Sequence, residues 1–201
     1  MSTESNRDAP RHRWRTRWND ADAARFGEPL DLRAYGSRLL GGDRSLVLQG
    51  GGNTSLKSTW TDGRPCVHVK GTGADLGRVT AADFTPIDLD GARALLAGPT
   101  LDNAALMAAL EPLKRDAAAP RPSIETLMHA SLPARWVEHT HADSVLAVLD
   151  TADGERTVRK VFGAAAPLVP FRHSGFDLAQ ACMATFDSER TDATQGLLLA
   201  A

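Results

Sequence analysis

Two histidines spaced i, i+2 in the stretch "WVEHTHADSVLAVLD" (136–150) are the residues of this 201-residue chain best placed to do chemistry. In an extended strand, positions i and i+2 point to one face, so the imidazoles of His139 and His141 converge. Such a pair supplies two corners of a metal site, whereas a catalytic zinc takes three protein ligands and keeps one position open. Zinc–nitrogen bonds of about 2.0–2.1 Å require the ring nitrogens to come within roughly 3–4 Å of each other. The plain structural alternative is two satisfied histidines at a strand end.

Three further stretches offer polar groups. "GGGNTS" (50–55) joins glycines that let backbone N–H groups approach a ligand to the neutral donors Asn53, Thr54 and Ser55, a combination suited to phosphate or carboxylate. "KGTGADL" (70–76) is a second glycine-rich strand end, with Thr72 between Gly71 and Gly73. Lys57 and Lys70 read as solvated surface charges beside these loops. In "RPSIETLMH" (121–129), Ser123 is the expected N-cap of a helix, where a hydroxyl and free amides can meet an anion. Glu125 falls in the first turn, a usual place for a carboxylate that complements the helix dipole. His129, four residues on, shares its helix face and reads as an ordinary half-buried histidine.

The elements that must position these groups follow from pattern. A helix is expected over 31–41, stopped by glycine, and "SLVLQ" reads as a strand. "TSLKSTW", the turn "TDGRP" and "CVHVK" form a hairpin with Asp62-Gly63 at its tip. An alanine-rich helix spans 101–116, a helix runs from Ser123 to Pro133, and a strand covers 136–140. Helices through "DSVLAVL", "ERTVRKVFG" and "FDLAQACMATF" alternate with strands in "PLVPF" and "QGLLLAA". The mixture predicts an α/β domain, a central and mostly antiparallel sheet covered by helices. No G-x-G-x-x-G follows a strand, which argues against a dinucleotide fold. The basic segment 1–25, with Arg7, Arg11, Arg13, Arg15 and Arg17, reads as a solvated tail preceding a domain over 26–201.

Composition narrows the function classes. A hydrophobic share of 42% and a charged share of 24% are those of a soluble globular domain. A formal charge of −2 gives nucleic acid or an anionic membrane no electrostatic footing as partner. Cys66 and Cys182, far apart and outside any C-x-x-C, exclude a disulfide framework and a structural zinc ribbon, and suit a reducing cytoplasm. No apolar run reaches the length of a membrane span.

In order, "GGGNTS", "VKGTG", "PSIE" with a histidine four residues on, and "HTHAD" resemble the motif series of the class II aldolase/adducin family. The flanking "SRLLGGDRSLVLQGGGNTSLK" and "RPSIETLMHASLP" are most similar to the aldolase part of bifunctional rhamnulose-1-phosphate aldolase/short-chain dehydrogenases. The resemblance implies a homotetramer acting on a small sugar phosphate and holding a divalent metal, typically zinc, through His139 and His141. It implies that Glu125 contacts the metal at rest and serves as the acid/base. Asn53, Thr72, Gly73 and Ser123 fall on its phosphate-binding positions, while Ile124 stands where many sugar-phosphate aldolases have a second serine. The family's third histidine belongs to a His-Gly pair after a strand like "GLLLA". No such pair precedes Ala201, and the alignment does not make His173 that ligand, so the resemblance implies a domain cut short at its C-terminus. Rival readings are a non-catalytic adducin-like scaffold, and an epimerase or decarboxylase on the same fold.

Overall fold

The computed structural model describes residues 16–48 and 50–200. Arg7, Arg11, Arg13 and Arg15 of the basic segment therefore lie outside the described residues. The segment closes on a short helix, α1 (Asp20–Ala23), capped by Asn19. The 31–41 helix is present as α2 (Pro29–Gly41), started two residues early by Pro29, whose missing N–H costs nothing in a first turn.

A hairpin comes next, as expected: β1 (Asn53–Thr59) and β2 (Pro65–Lys70) pair antiparallel around a turn in which Gly63 takes φ 83°. β3 (Phe84–Asp88) pairs with β2, and β4 (Trp136–His139) pairs with β1, giving a four-stranded antiparallel sheet in the order β3-β2-β1-β4. A separate parallel pair joins β5 (Leu168–Val169) to β6 (Leu198–Leu199). The helices are α3 (Leu89–Leu96), α4 (Asn103–Leu110), α5 (Thr126–Ser131), α6 (Asp143–Leu149), α7 (Gly154–Phe162) and α8 (Phe176–Glu189). This is the α/β architecture that the pattern predicts. Among the described residues no helix is long and apolar enough to cross a membrane.

Two local expectations are corrected and one helix is new. Residues 45–48 of "SLVLQ" are not a strand: Asp43 accepts from the Ser45 amide and hydroxyl, so a turn takes the backbone there. Its carbonyls instead receive the amides of His141 and Asp143, tying this loop to the histidine segment. The alanine-rich helix ends at Leu110 and passes into a short 3₁₀ turn, because Pro112 cannot continue an α-helical ladder. Helix α3 was not expected; Asp88 caps it by accepting from the Gly91 amide, and Leu89, Ala92 and Leu96 form its buried stripe.

One face of the sheet, through Val67, Val69 and Ile87, packs on Leu96, Leu106, Leu110, Leu127, Met128 and Phe176 of the surrounding helices. Each of the leucines is worth about 1.5–3 kcal/mol on burial. The other face is covered by α2, where Ser37 Oγ meets Thr54 Oγ1 at 2.8 Å and buried Arg33 reaches Glu138 at 2.7 Å. β1 is therefore polar in sequence and buried on both faces, which is tolerable because its side chains are hydrogen-bonded.

Gly41 ends α2 against the backbone of the next glycine-rich loop: a Cβ there would lie 2.2 Å from the Gly77 nitrogen. Gly41→Ala is expected to destabilise the fold by about 1–3 kcal/mol, the usual cost of overpacking. Thermal unfolding should then show a fall of roughly 2–4 °C per kcal/mol for a domain of this size. An unchanged midpoint would mean that this contact yields freely.

Candidate active site

His139 is the last residue of β4 and pairs in register with Asn53, the first of β1, so the histidine segment and the first glycine loop meet side by side. Gly50 and Gly52 take φ 82° and 69° in that loop. At Gly52 a Cβ would press on the His139 carbonyl at 3.0 Å, so both the backbone angle and the space demand glycine. His141 lies just past the strand, held by its amide to the Leu46 carbonyl at 2.9 Å. The two imidazoles keep to one side, with ring centroids 4.8 Å apart.

Glu125 comes to this pair from the far end of another segment. Its Oε1 lies 3.1 Å from His139 Nδ1, within ion-pair range but off the angle of a full hydrogen bond. Burial by itself would push the Glu125 carboxyl up, but the contact with His139, its charge and Asn53 hold it down at about 2. It is thus ionised at neutral pH. Burial, then the neighbouring His139 charge, lowers the His141 pKa, so that ring favours its neutral, ligating form.

Asn53 Nδ2 donates to Ser123 Oγ at 2.8 Å, and Ser123 Oγ also accepts the Glu125 amide at 3.2 Å. Thr72 Oγ1 donates to the Pro122 carbonyl at 2.8 Å, bringing the second glycine loop, with Gly73 at φ 86°, to the same segment. The structure therefore gathers Asn53, Thr72, Ser123 and Glu125 around residues 122–125. Ser123 does not cap α5 directly, since the helix begins at Thr126 and Ser123 closes the turn before it. A groove of about 570 Å³ is lined by Glu125, His139, His141, Trp136, Leu178 and Cys182. Asn53, Thr72, Gly73 and Ser123 are not part of that lining. A larger cleft of about 840 Å³ lies under the opposite sheet face, between Trp18, Arg33 and Trp136, away from both histidines.

Two sequence readings of neighbouring residues are corrected. Lys57 and Lys70 are buried rather than solvated: Lys57 Nζ donates to the carbonyls of His129 and Ala134, and Lys70 Nζ to that of Ala74. His129 is fully buried, not half-buried, with Nδ1 at 2.9 Å from Ser55 Oγ. Nothing in the spacing of single polar residues reveals that a partner from another element will enclose them. Alternation did place Ser55 and Lys57 on the face of Asn53, and that was the usable signal.

Burial holds the Lys57 pKa at about 8, below its ordinary value of 10.5, with Arg93 adding repulsion. Between those two values the unfolded chain binds more protons than the folded one, so the contribution of Lys57 to stability rises with pH across that window. Urea unfolding of the native chain and of Lys57→Met at pH 8 and pH 9 should show the native chain gaining on the variant at the higher pH. The shared cysteines cancel in that difference. A pH-independent difference would refute the reading.

Among the described residues, no three His, Cys, Asp or Glu side chains close on a single point. The donors are nevertheless of the right kind: two imidazoles and a carboxylate, with a buried His139 Nδ1 lacking an aligned partner. That set fits a divalent cation, which His139, His141 and Glu125 would hold.

The class II aldolase and adducin N-terminal domain model matches residues 32–201. The chain is 33% identical to the N-terminal class II aldolase domain of a conserved protein from Thermoplasma acidophilum, with TM-score 0.82 over 92% of this chain and 84% of that one. YgbL of Escherichia coli shares the fold at TM-score 0.54 and 20% identity, covering 85% of this chain and 75% of its own. YuxG of Bacillus subtilis (strain 168), described as an uncharacterized oxidoreductase, is 34% identical over 81% of this chain, which spans 24% of that relative's length. With this match across nearly the whole of the described fold, the chain belongs to the class II aldolase and adducin N-terminal domain family.

Proposed function

We propose that this domain is a metal-dependent aldolase that cleaves a ketose 1-phosphate to dihydroxyacetone phosphate and an aldehyde. The observation that carries the reading is the carboxylate of Glu125 set 3.1 Å from His139, with the His141 ring alongside. His139, His141 and Glu125 would hold a divalent cation, zinc by their donor chemistry. Such an ion supplies Lewis-acid polarisation of the ketose oxygens.

As the C3–C4 bond breaks, its electron pair stays on C3, the C4 hydroxyl loses its proton and C4 becomes the aldehyde. C3 must then be protonated. Glu125 is the carboxylate that holds and returns that proton, acting within reach of the reacting carbon. Asn53, Thr72, Gly73 and Ser123 hold the phosphate, and the handle's binding energy orients the carbon chain. Their meeting at residues 122–125 supports this arrangement, because it sets the handle next to Glu125.

The 34% identity to a segment of a much longer chain described as an oxidoreductase supports the reading of an aldolase part fused to a dehydrogenase, and the rhamnulose-1-phosphate-like substrate rests on the motif resemblance alone. We read the working form as a homo-oligomer, which sedimentation can check.

The test is direct. The chain is loaded with Zn²⁺ and given rhamnulose 1-phosphate, fuculose 1-phosphate and the unphosphorylated ketoses, and dihydroxyacetone phosphate is measured. Release from a ketose 1-phosphate that stops on chelation supports the proposal. Bound metal without cleavage of either phosphate would point to epimerase or decarboxylase chemistry, and no metal binding to an adducin-like scaffold.

A further inference from the structure

The inward face of β1 does more than contribute Asn53. Its three successive inward residues each grip the segment that carries Glu125. Asn53 takes Ser123 at 2.8 Å, Ser55 takes His129 Nδ1 at 2.9 Å, and Lys57 takes the carbonyls of His129 and Ala134 at 2.7 and 2.8 Å. Asn53, Ser55, Lys57 and His129 are all buried. On its other side the same strand pairs with β4, which ends at His139. β1 is therefore the common frame of the carboxylate and the first histidine.

Apolar contacts alone fix such an arrangement poorly. α5 has six residues, and the apolar contacts of Leu127 and Met128 are non-directional, so they fix its depth more firmly than its position along the sheet. His129 is coupled to Glu125 by one helical turn, its amide donating to the Glu125 carbonyl at 3.1 Å. Pinning the His129 ring thus pins Glu125 along the helix axis. The arrangement carries a cost: His129 Nε2 is buried with no partner among the described residues. A core selected for stability alone would put an apolar side chain on each side of this contact and lose nothing.

We propose that Ser55 and His129 are positioning residues that hold Glu125 in register with His139. Neither touches the reacting atoms. The kinetic half of this inference rests on the aldolase reading above; the geometric half does not.

The test uses the full chain, free of metal, with ¹⁵N-labelled histidine at one fixed pH. In Ser55→Ala, the His139 Nδ1 resonance should move toward that of a free imidazole nitrogen as Glu125 withdraws. The double variant Ser55→Ala/His129→Leu removes both polar partners and should fold as well as the native chain, so it separates register from stability. It should show the same loss of the His139–Glu125 signature. Where the native chain cleaves a ketose 1-phosphate, both variants should lose kcat by roughly 10–100-fold, with KM held within about threefold. An unshifted His139 resonance in a folded variant overturns the proposal, as does a kcat loss that only matches the unfolded fraction. A native chain without cleavage sinks the aldolase reading, and the histidine resonances still decide the positioning role.

Discussion

Glu125→Gln is expected to lower the rate of aldol cleavage by roughly 10²–10⁴-fold, the range that a positioned acid/base supplies. The substitution keeps the shape of the side chain and its acceptor oxygen, so the packing should survive, while the lost charge opposite His139 costs some stability at neutral pH. What it removes is the negative charge, the carboxylate ligand of the candidate metal set and the ability to carry a proton. In the native chain that charge faces His139 at 3.1 Å in a buried setting, where few other groups can take over the proton. Because the effect falls on a step after binding, kcat should drop while KM for the ketose phosphate stays near its native value. Steady-state kinetics on native and variant chains, with equal metal content confirmed beforehand, checks this. A variant with full kcat would remove Glu125 from the mechanism.

His139→Ala and His141→Ala are expected to weaken zinc binding by more than the roughly 10–100-fold that loss of a mere supporting partner costs. Each removes one of only two imidazoles in the candidate set, leaving a single imidazole and a carboxylate. His173 is the control: it is exposed and stacks edge-on against Phe171. His173→Ala should therefore bind zinc like the native chain. Calorimetric titration of the three variants decides the matter. Equal affinity for His139→Ala and the native chain would show that the metal, if bound, sits elsewhere.

The stability and pH effects expected of Gly41 and Lys57 are smaller, but they test the same frame. Gly41 sets how closely α2 approaches the loop that continues from Thr72 and Gly73. Lys57 is the last grip of β1 on the Glu125 segment.

What the amino-acid order determined by itself was whatever depends on near neighbours. The Asp62-Gly63 turn made the β1–β2 hairpin legible, and Pro29 and the glycines at 41–42 bounded α2, whereas His141 lies past the end of β4 and is brought beside His139 by the loop bond of its amide to Leu46 rather than by strand alternation. The motif series also marked Glu125, Asn53, Thr72 and Ser123 before any of them had a neighbour. Only the tertiary structure decided that Asn53 meets Ser123, that Thr72 meets Pro122, and that Glu125 stands against His139. Periodicity states which face a side chain occupies, not which distant segment covers that face. For the same reason alternation put Ser55 and Lys57 on the face of Asn53 without showing that His129 would enclose them there. A polar side chain is buried only when a partner arrives to satisfy it, and here the partners of β1 come from α2 on one face and from residues 123–134 on the other.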